Sequence, residues 1–185
     1  EASPISCVGA DNRDAGRAAA AHVLEWGHRQ IGLLFPPTTG NDRASDRYSG
    51  AQNVLHEQGI SVPDNWSVEA PYSISDAKEA VSEMLSGPNR PTALICGNDV
   101  LAQGAIYAAL REGRAGPRDL SIIGIGDFKG SREMEPGLST VRLPARRIGL
   151  LAGERLAHSI IHSERDVFRI CCDIELIARE TCAAP

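Results

Sequence analysis

Short aliphatic runs alternate with stretches of helical periodicity along most of the chain. Ile5–Val8 reads as a brief strand, and Arg13–Trp26 as a helix capped by Asp11 or Asn12, with Ala19, Val23 and Trp26 in its stripe and Gly27 ending it. Ile31–Phe35 is an unbroken apolar run stopped by Pro36-Pro37, and the spacing of Ala51, Val54 and Leu55 predicts a helix over Asp42–Gln58. A weak strand at Val68–Ala70 precedes a helix that Ser75 or Asp76 caps and that runs through Leu85. Thr92–Cys96 and Leu120–Ile125 are strands on either side of a helix from Asp99 to Arg111. Runs without alternation mark strands buried on both faces, as in a parallel sheet covered by helices. Repeating strand–helix units therefore predict an α/β fold with a doubly wound, mainly parallel sheet. Ligands of such sheets bind outside the carboxyl ends of the strands.

After Asp127 the pattern changes. Phe128–Pro136 is polar and turn-rich, and Leu138–Leu143 is a short strand or an extended connection. Arg146–Ile161 is a helix with Ile148, Leu151, Ala152, Leu156 and Ile160 in its stripe, while Phe168–Cys171 and Ile174–Ala178 form a hairpin or two successive edge strands. No linker separates two domains, and 185 residues correspond to one domain or slightly more. The opening Glu1-Ala2-Ser3-Pro4 lacks a Met and reads as the middle of a longer chain.

Composition narrows the function classes. With 42% hydrophobic and 23% charged residues the chain is globular, and 4% aromatics leave the core to aliphatics and alanine. A net charge of −5 makes this chain itself a poor binder of phosphate backbones. No apolar run is long enough to span a membrane, and no secretion signal is evident. Cys7, Cys96, Cys171, Cys172 and Cys182 have neither C-x-x-C nor metal-ligand spacing, which fits reduced thiols in a cytoplasmic compartment.

Strand ends hold the candidate chemistry. Asn98 follows an aliphatic strand and offers donor and acceptor together, with Asp99 as the helix cap. Arg43 and Arg47 share a helix face, where forked donors can grip a carboxylate or sugar hydroxyls or simply meet solvent. Tyr72 sits in a loop after a strand, placed to stack on a ligand or to cover the sheet edge. Gly124-Ile125-Gly126-Asp127 is a weak dinucleotide fingerprint, since the third glycine comes late, at Gly130. His158 and His162 lie four apart without a carboxylate in motif position, and no catalytic residue set, metal site or cofactor site emerges.

Several motifs stand in order along the chain: Asp11-Asn12-x-x-Ala15-Gly16, Gly27-His28-Arg29-Gln30-Ile31, Arg43 to Gly50, and Pro91-Thr92-Ala93 through Gly97-Asn98-Asp99. They continue in Asp119-Leu120-Ser121-Ile122-Ile123-Gly124, Leu138-Ser139-Thr140-Val141, Ile148-Gly149 and Glu175-Leu176-x-x-Arg179-Glu180. Together they resemble the motifs of the lactose-repressor (LacI/GalR) family of regulators. The resemblance implies a two-lobed, periplasmic-binding-protein-like core that clasps a small-molecule effector and controls a DNA-binding headpiece lying outside this chain. On that basis 1–137 and 162–185 are mainly C-terminal lobe, and 138–161 returns to an N-terminal lobe that precedes Glu1. The implied effector contacts are Arg47, Tyr72 and Asn98, with Asn41, Arg43 and Asp127 as weaker carry-overs. The family's G-x-D-D reads Gly124-Ile125-Gly126-Asp127 here, which puts Gly126 where a contacting Asp is usual. A homodimer is implied through Ile74, Ala77, Leu101, Gly104, Ala105 and Ala108, although these small residues could instead face the sheet. A solute-binding protein of a transporter shares the lobes and is the alternative reading.

Overall fold

The structure, a computed structural model, describes residues 5–114, 116–163 and 166–185; the opening tetrapeptide lies outside them. Its elements are β1 (Cys7–Ala10), α1 (Asn12–Glu25), β2 (Ile31–Phe35), α2 (Asp42–Glu57), a single 3-10 turn (Asp64–Trp66), β3 (Ser67–Glu69), α3 (Ile74–Ser86), β4 (Ala93–Cys96) and α4 (Asp99–Arg111). There follow β5 (Ser121–Gly126), β6 (Ser139–Arg142), α5 (Ala145–His162), β7 (Arg169–Cys172) and β8 (Glu175–Ile177).

Six strands form one sheet in the order β3-β2-β4-β5-β6-β8. All neighbours are parallel except β8, which runs antiparallel to β6 with Val141 opposite Leu176. Side chains alternate across a strand, so the unbroken aliphatic runs feed two cores. Leu34, Leu94, Cys96 and Ile122 meet α3 and α4 on one face. Leu33, Phe35, Ile95, Ile123 and Ile125 meet α1 and α2 on the other. Each such fully buried aliphatic contributes about 1.5–3 kcal/mol.

With so few aromatics, close helix packing fills the layers. α1 and α2 cross with glycines at the contact: a Cβ on Gly16 would overlap the Arg47 carbonyl, and one on Gly50 would overlap the Arg13 carbonyl. On the opposite face a Cβ on Gly104 would press on Ala77. This crossing of α3 and α4 uses most of the residues expected at a dimer contact. Ala77, Leu101, Ala105 and Ala108 are fully buried within the chain, and Gly104 is spent on the α3–α4 crossing. Of the six residues only Ile74 is exposed.

Where several polar residues compete for a cap the structure selects one, in agreement with expectation at α1 and against it at α3 and α4. Asp11 caps α1 by accepting from the N–H groups of Arg13 and Asp14. Ser73, not Ser75 or Asp76, caps α3. Asn98 caps α4 through Leu101 N–H at 3.0 Å, which frees the Asp99 carboxylate for other work.

The chain leaves the main sheet later than 138. β6 is an interior strand between β5 and β8, and α5 and β7 are the excursion. β7 pairs in parallel with β1, from Cys7 opposite Arg169 to Ala10 opposite Cys172, in a separate two-stranded sheet against which α5 packs. β7 and β8 are therefore not a hairpin. None of the 18 residues of α5 is buried; Leu156 is 62% and Ile161 74% exposed.

Thr181–Ala183 then stitch the base of the main sheet. Ile122 N–H donates to the Thr181 carbonyl at 2.8 Å, and the Thr181 hydroxyl donates to the Ile122 carbonyl at 2.6 Å while accepting from Ser139 N–H at 2.8 Å. The Ala183 carbonyl accepts from Ser121 Oγ at 3.0 Å and from His28 Nε2 at 2.8 Å.

Candidate ligand-binding site

The segments that follow β2, β3, β4, β5 and β6 converge on one concavity of about 1240 Å³ at the carboxyl edge of the sheet. This is the edge at which open parallel sheets bind ligands. Asn41, Arg43 and Arg47 come from the start of α2, Tyr72 from the segment after β3, and Asn98 from the start of α4. Gly126, Asp127 and Phe128 follow β5, and Arg142 with the first turn of α5 closes the far wall.

All six residues expected to contact an effector line this concavity, but in different states. Arg47 is 9% exposed. Its Nε donates to Asn12 Oδ1 at 2.9 Å and its Nη1 to the Gly97 carbonyl at 2.8 Å. Asn12 Nδ2 donates in turn to the Ala10 carbonyl, so the guanidinium ties the end of β1 to the loop after β4. Burial pushes the Arg47 pKa down; Tyr72 opposes that shift and the like charge of Arg43 adds to it. Arginine nonetheless stays charged.

Asn98 is fully buried, and its Nδ2 has no hydrogen-bond partner among the described residues. A buried donor left unpaired costs about 1–3 kcal/mol, which an acceptor arriving in the concavity would recover. Asn41 caps α2 through Ala44 N–H at 3.2 Å. Tyr72 is 57% exposed, with its ring free to cover a ligand.

Asp127 is held as part of an ion-pair group. It accepts from Arg142 Nε at 2.7 Å and Arg179 Nη2 at 2.6 Å, and Arg142 also donates to Glu175 at 2.6 Å. Burial works to raise its pKa, but the hydrogen bonds and charges of Arg179 and Arg142 outweigh it and hold the carboxyl below its ordinary value. The turn that presents it has Gly126 at φ +145° and Asp127 at φ +54°. A Cβ on Gly126 would meet the Phe128 ring, and the positive φ would strain any larger residue in that turn.

The loop is anchored from below by Asp99, which is 4% exposed. Its carboxylate accepts from Phe128 N–H at 2.8 Å, Ser131 Oγ at 2.5 Å and Thr140 Oγ1 at 2.6 Å. Sequence reasoning missed this role by assigning Asp99 to the cap. It also missed Phe128, Arg142, Arg146 and Arg147 in the lining. Arg142 is the last residue of β6, so reading Leu138–Leu143 firmly as an interior strand would have placed it at the carboxyl edge of the sheet.

Comparison with known proteins adds the family. The profile of the family described as Periplasmic binding protein-like domain matches residues 20–182. The chain is 33% identical over 168 residues to the HTH-type transcriptional repressor PurR of Klebsiella pneumoniae (strain 342), covering 91% of this chain and 49% of that protein. It thus spans about half the length of the curated relatives it matches. A LacI family transcriptional regulator from Mycobacterium smegmatis superposes with a TM-score of 0.86 at 31% identity, covering 96% of this chain and 66% of that one. A regulatory protein of LacI family from Chloroflexus aggregans does so with a TM-score of 0.88 at 26% identity, covering 96% and 64%. With the family profile matched over most of its length and the sheet order described above, the chain belongs to the periplasmic binding protein-like domain family, where its relatives are LacI-type transcriptional regulators.

Proposed function

We propose that this chain is the effector-binding and dimerising part of a cytoplasmic LacI-type transcriptional regulator. The observation that carries the reading is the convergence of Asn41, Arg43, Arg47, Tyr72, Asn98 and Asp127 on one concavity, from four separate segments. Such a site binds a small molecule and alters operator affinity through linkage rather than catalysis. The curated relatives are repressors, which favours a regulator over a transporter component. DNA would be engaged by a headpiece outside this chain.

The uncovered stripe of α5 and the two-stranded β1–β7 sheet fit a second lobe built with further chain, so that the concavity lies between lobes. Large apolar faces rarely stay bare. The outward faces of α3 and α4 carry the dimer contact in this reading: Ile74, Tyr107 and Leu110 are 36%, 42% and 53% exposed.

Calorimetric titration of the intact protein with sugars, nucleosides and purine bases tests the assignment. Arg47→Ala and Asn98→Ala should each weaken a bound effector at least tenfold; unchanged affinity in both would refute the site. Sedimentation of Leu110→Glu should show a weakened dimer, and a wild-type mass that stays monomeric at all concentrations would refute dimerisation.

A further inference from the structure

The charge of the concavity is opposite to that of the chain. The protein carries a net −5, yet five arginines line the site (Arg43, Arg47, Arg142, Arg146 and Arg147) against two aspartates, Asp42 and Asp127. The balance is more one-sided once committed groups are removed. Asp127 is saturated by Arg142 and Arg179, and Asp42 accepts from the Arg43 backbone N–H. Arg43, Arg146 and Arg147 make no ion pair among the described residues, and Arg47 meets only the neutral oxygens of Asn12 and Gly97. Four cations therefore line one space in which, among the described residues, Asp42 is the one carboxylate not paired to an arginine, with Asp99 beneath Arg47.

Two of them stand where a helix least tolerates them. Helix N-termini carry partial positive charge and favour acidic residues and capping side chains. α1, α2, α3 and α4 each have a side-chain cap and an aspartate in the first turn. α5 begins at Pro144 with no side-chain cap, no acidic residue in its first turn, and Arg146 and Arg147 instead. The arrangement is unfavourable until an anion sits at that end. An independent observation points the same way: the fully buried Asn98 Nδ2 on the same concavity is a donor without an acceptor. Gly126, at the lip, supplies no side-chain acceptor that could compete.

We propose that the ligand of this concavity is an anion, a small polar molecule bearing a phosphate ester or a carboxylate. Its charged group is held between the first turn of α5 and the Arg43–Arg47 face of α2, and an acceptor oxygen of the ligand takes the Asn98 amide. This rests on the effector-binding reading and specifies the ligand's chemical class.

The test is titration of the intact protein with matched pairs: ribose and ribose 5-phosphate, glucose with glucose 6-phosphate and glucuronate, inosine and inosine monophosphate, with inorganic phosphate alongside. In at least one pair the charged member should bind at least tenfold tighter than its neutral counterpart. Raising salt from about 50 to about 300 mM should weaken it several-fold, as screening requires. The phosphate and carboxylate arms distinguish the two anion sources. The double variant Arg146→Gln/Arg147→Gln should lose at least tenfold for the charged probe, a clearly larger loss than for its neutral counterpart, and melt no lower than wild type.

Neutral members binding as tightly as their charged partners would overturn the inference while leaving the effector reading intact. Failure of every charged probe also overturns it, and the effector reading falls with it only if the neutral probes fail too. A ligand-free double variant that melts clearly lower would show that the protein's own carboxylates already occupy these arginines, which equally overturns it.

Discussion

Replacing Asp99 should loosen the floor of the binding site. In Asp99→Ala, Phe128 N–H, Ser131 Oγ and Thr140 Oγ1 lose their common acceptor in a region where Ser131 is 2% and Thr140 0% exposed. The amide proton cannot be redirected, whereas the hydroxyls can rotate. Counting about 2 kcal/mol for the amide and about 1 kcal/mol for each hydroxyl gives a loss of about 4 kcal/mol. Asp99→Asn keeps the shape and one acceptor oxygen, which can serve Phe128 and Ser131, while its NH₂ turns toward Thr140. It forfeits the charge on two bonds and reverses the third, a loss of about 2 kcal/mol. For a chain of this size each kcal/mol lowers the melting temperature by about 2–4 °C, so Asp99→Asn should melt about 4–8 °C below wild type. Urea denaturation followed by circular dichroism measures the same loss at fixed temperature. In a Ser131→Ala background the Asp99→Asn effect should shrink by about 0.5–1 kcal/mol, because the two residues share a bond. A loss under about 0.5 kcal/mol for Asp99→Asn, or strict additivity with Ser131→Ala, would refute the anchoring argument.

Three other outcomes follow from particular contacts. Gly50→Ala places a methyl group against the Arg13 carbonyl and should cost about 1–3 kcal/mol while displacing Arg47, so urea midpoint and effector affinity should fall together. His28 is 1% exposed and burial lowers its pKa, only partly offset by its bond to the Ala183 carbonyl, so the unfolded chain takes up the proton first on acidification. Stability should be fully present above about pH 6.5 and decline as pH drops below it, and His28→Gln should flatten that slope; His22, lowered mainly by burial, leaves a residual slope, and an unaltered slope would acquit His28. Of the five free cysteines, Cys7 and Cys171 are exposed and should react with Ellman's reagent in the native state, whereas Cys96, Cys172 and Cys182 should wait for unfolding. The fully buried Cys96 thiol, its pKa pushed well up by burial, is the sharpest case, and burial raises that of Cys182 to about 11.

The legible parts of this protein were those with a local cause. Ile31–Phe35 needed no context: five apolar residues between Gln30 and Pro36 make a buried strand wherever it lies. The same holds for the helices, for Asn98 at a strand end and for the shared helix face of Arg43 and Arg47, whereas Asn41 and Asp127 entered only through the family resemblance. What stayed hidden depends on distant segments. The choice of cap between Asn98 and Asp99 is settled by Ser131 and Thr140, some 30 to 40 residues away. Leu138–Leu143 could be a connection or a strand until β8 was seen to pair with it. Ala77 and Gly104 have the same small size whether they meet another copy or their own neighbouring helix. Arg146 and Arg147 carry no local signal, and only the placement of the first turn of α5 on the same concavity as α2 brings them to the site.

The stitch at Thr181–Ala183 bears on the order in which the chain can be completed during synthesis. Its partners at Ser121 and Ile122 lie about 60 positions earlier, and His28 more than 150. Between them the ribosome must emit all of α5 and β7, which belong to the other sheet. A nascent chain halted after β6 would present β6 as an open edge, lacking β8, with Ser121, Ser139 and His28 short of their final partners. Contacts of such long range are closed late and slow folding. The sheet that carries the ligand site is therefore sealed only once residues 181–183 have been made, and products stalled before them should be the forms most prone to capture by chaperones and to aggregation.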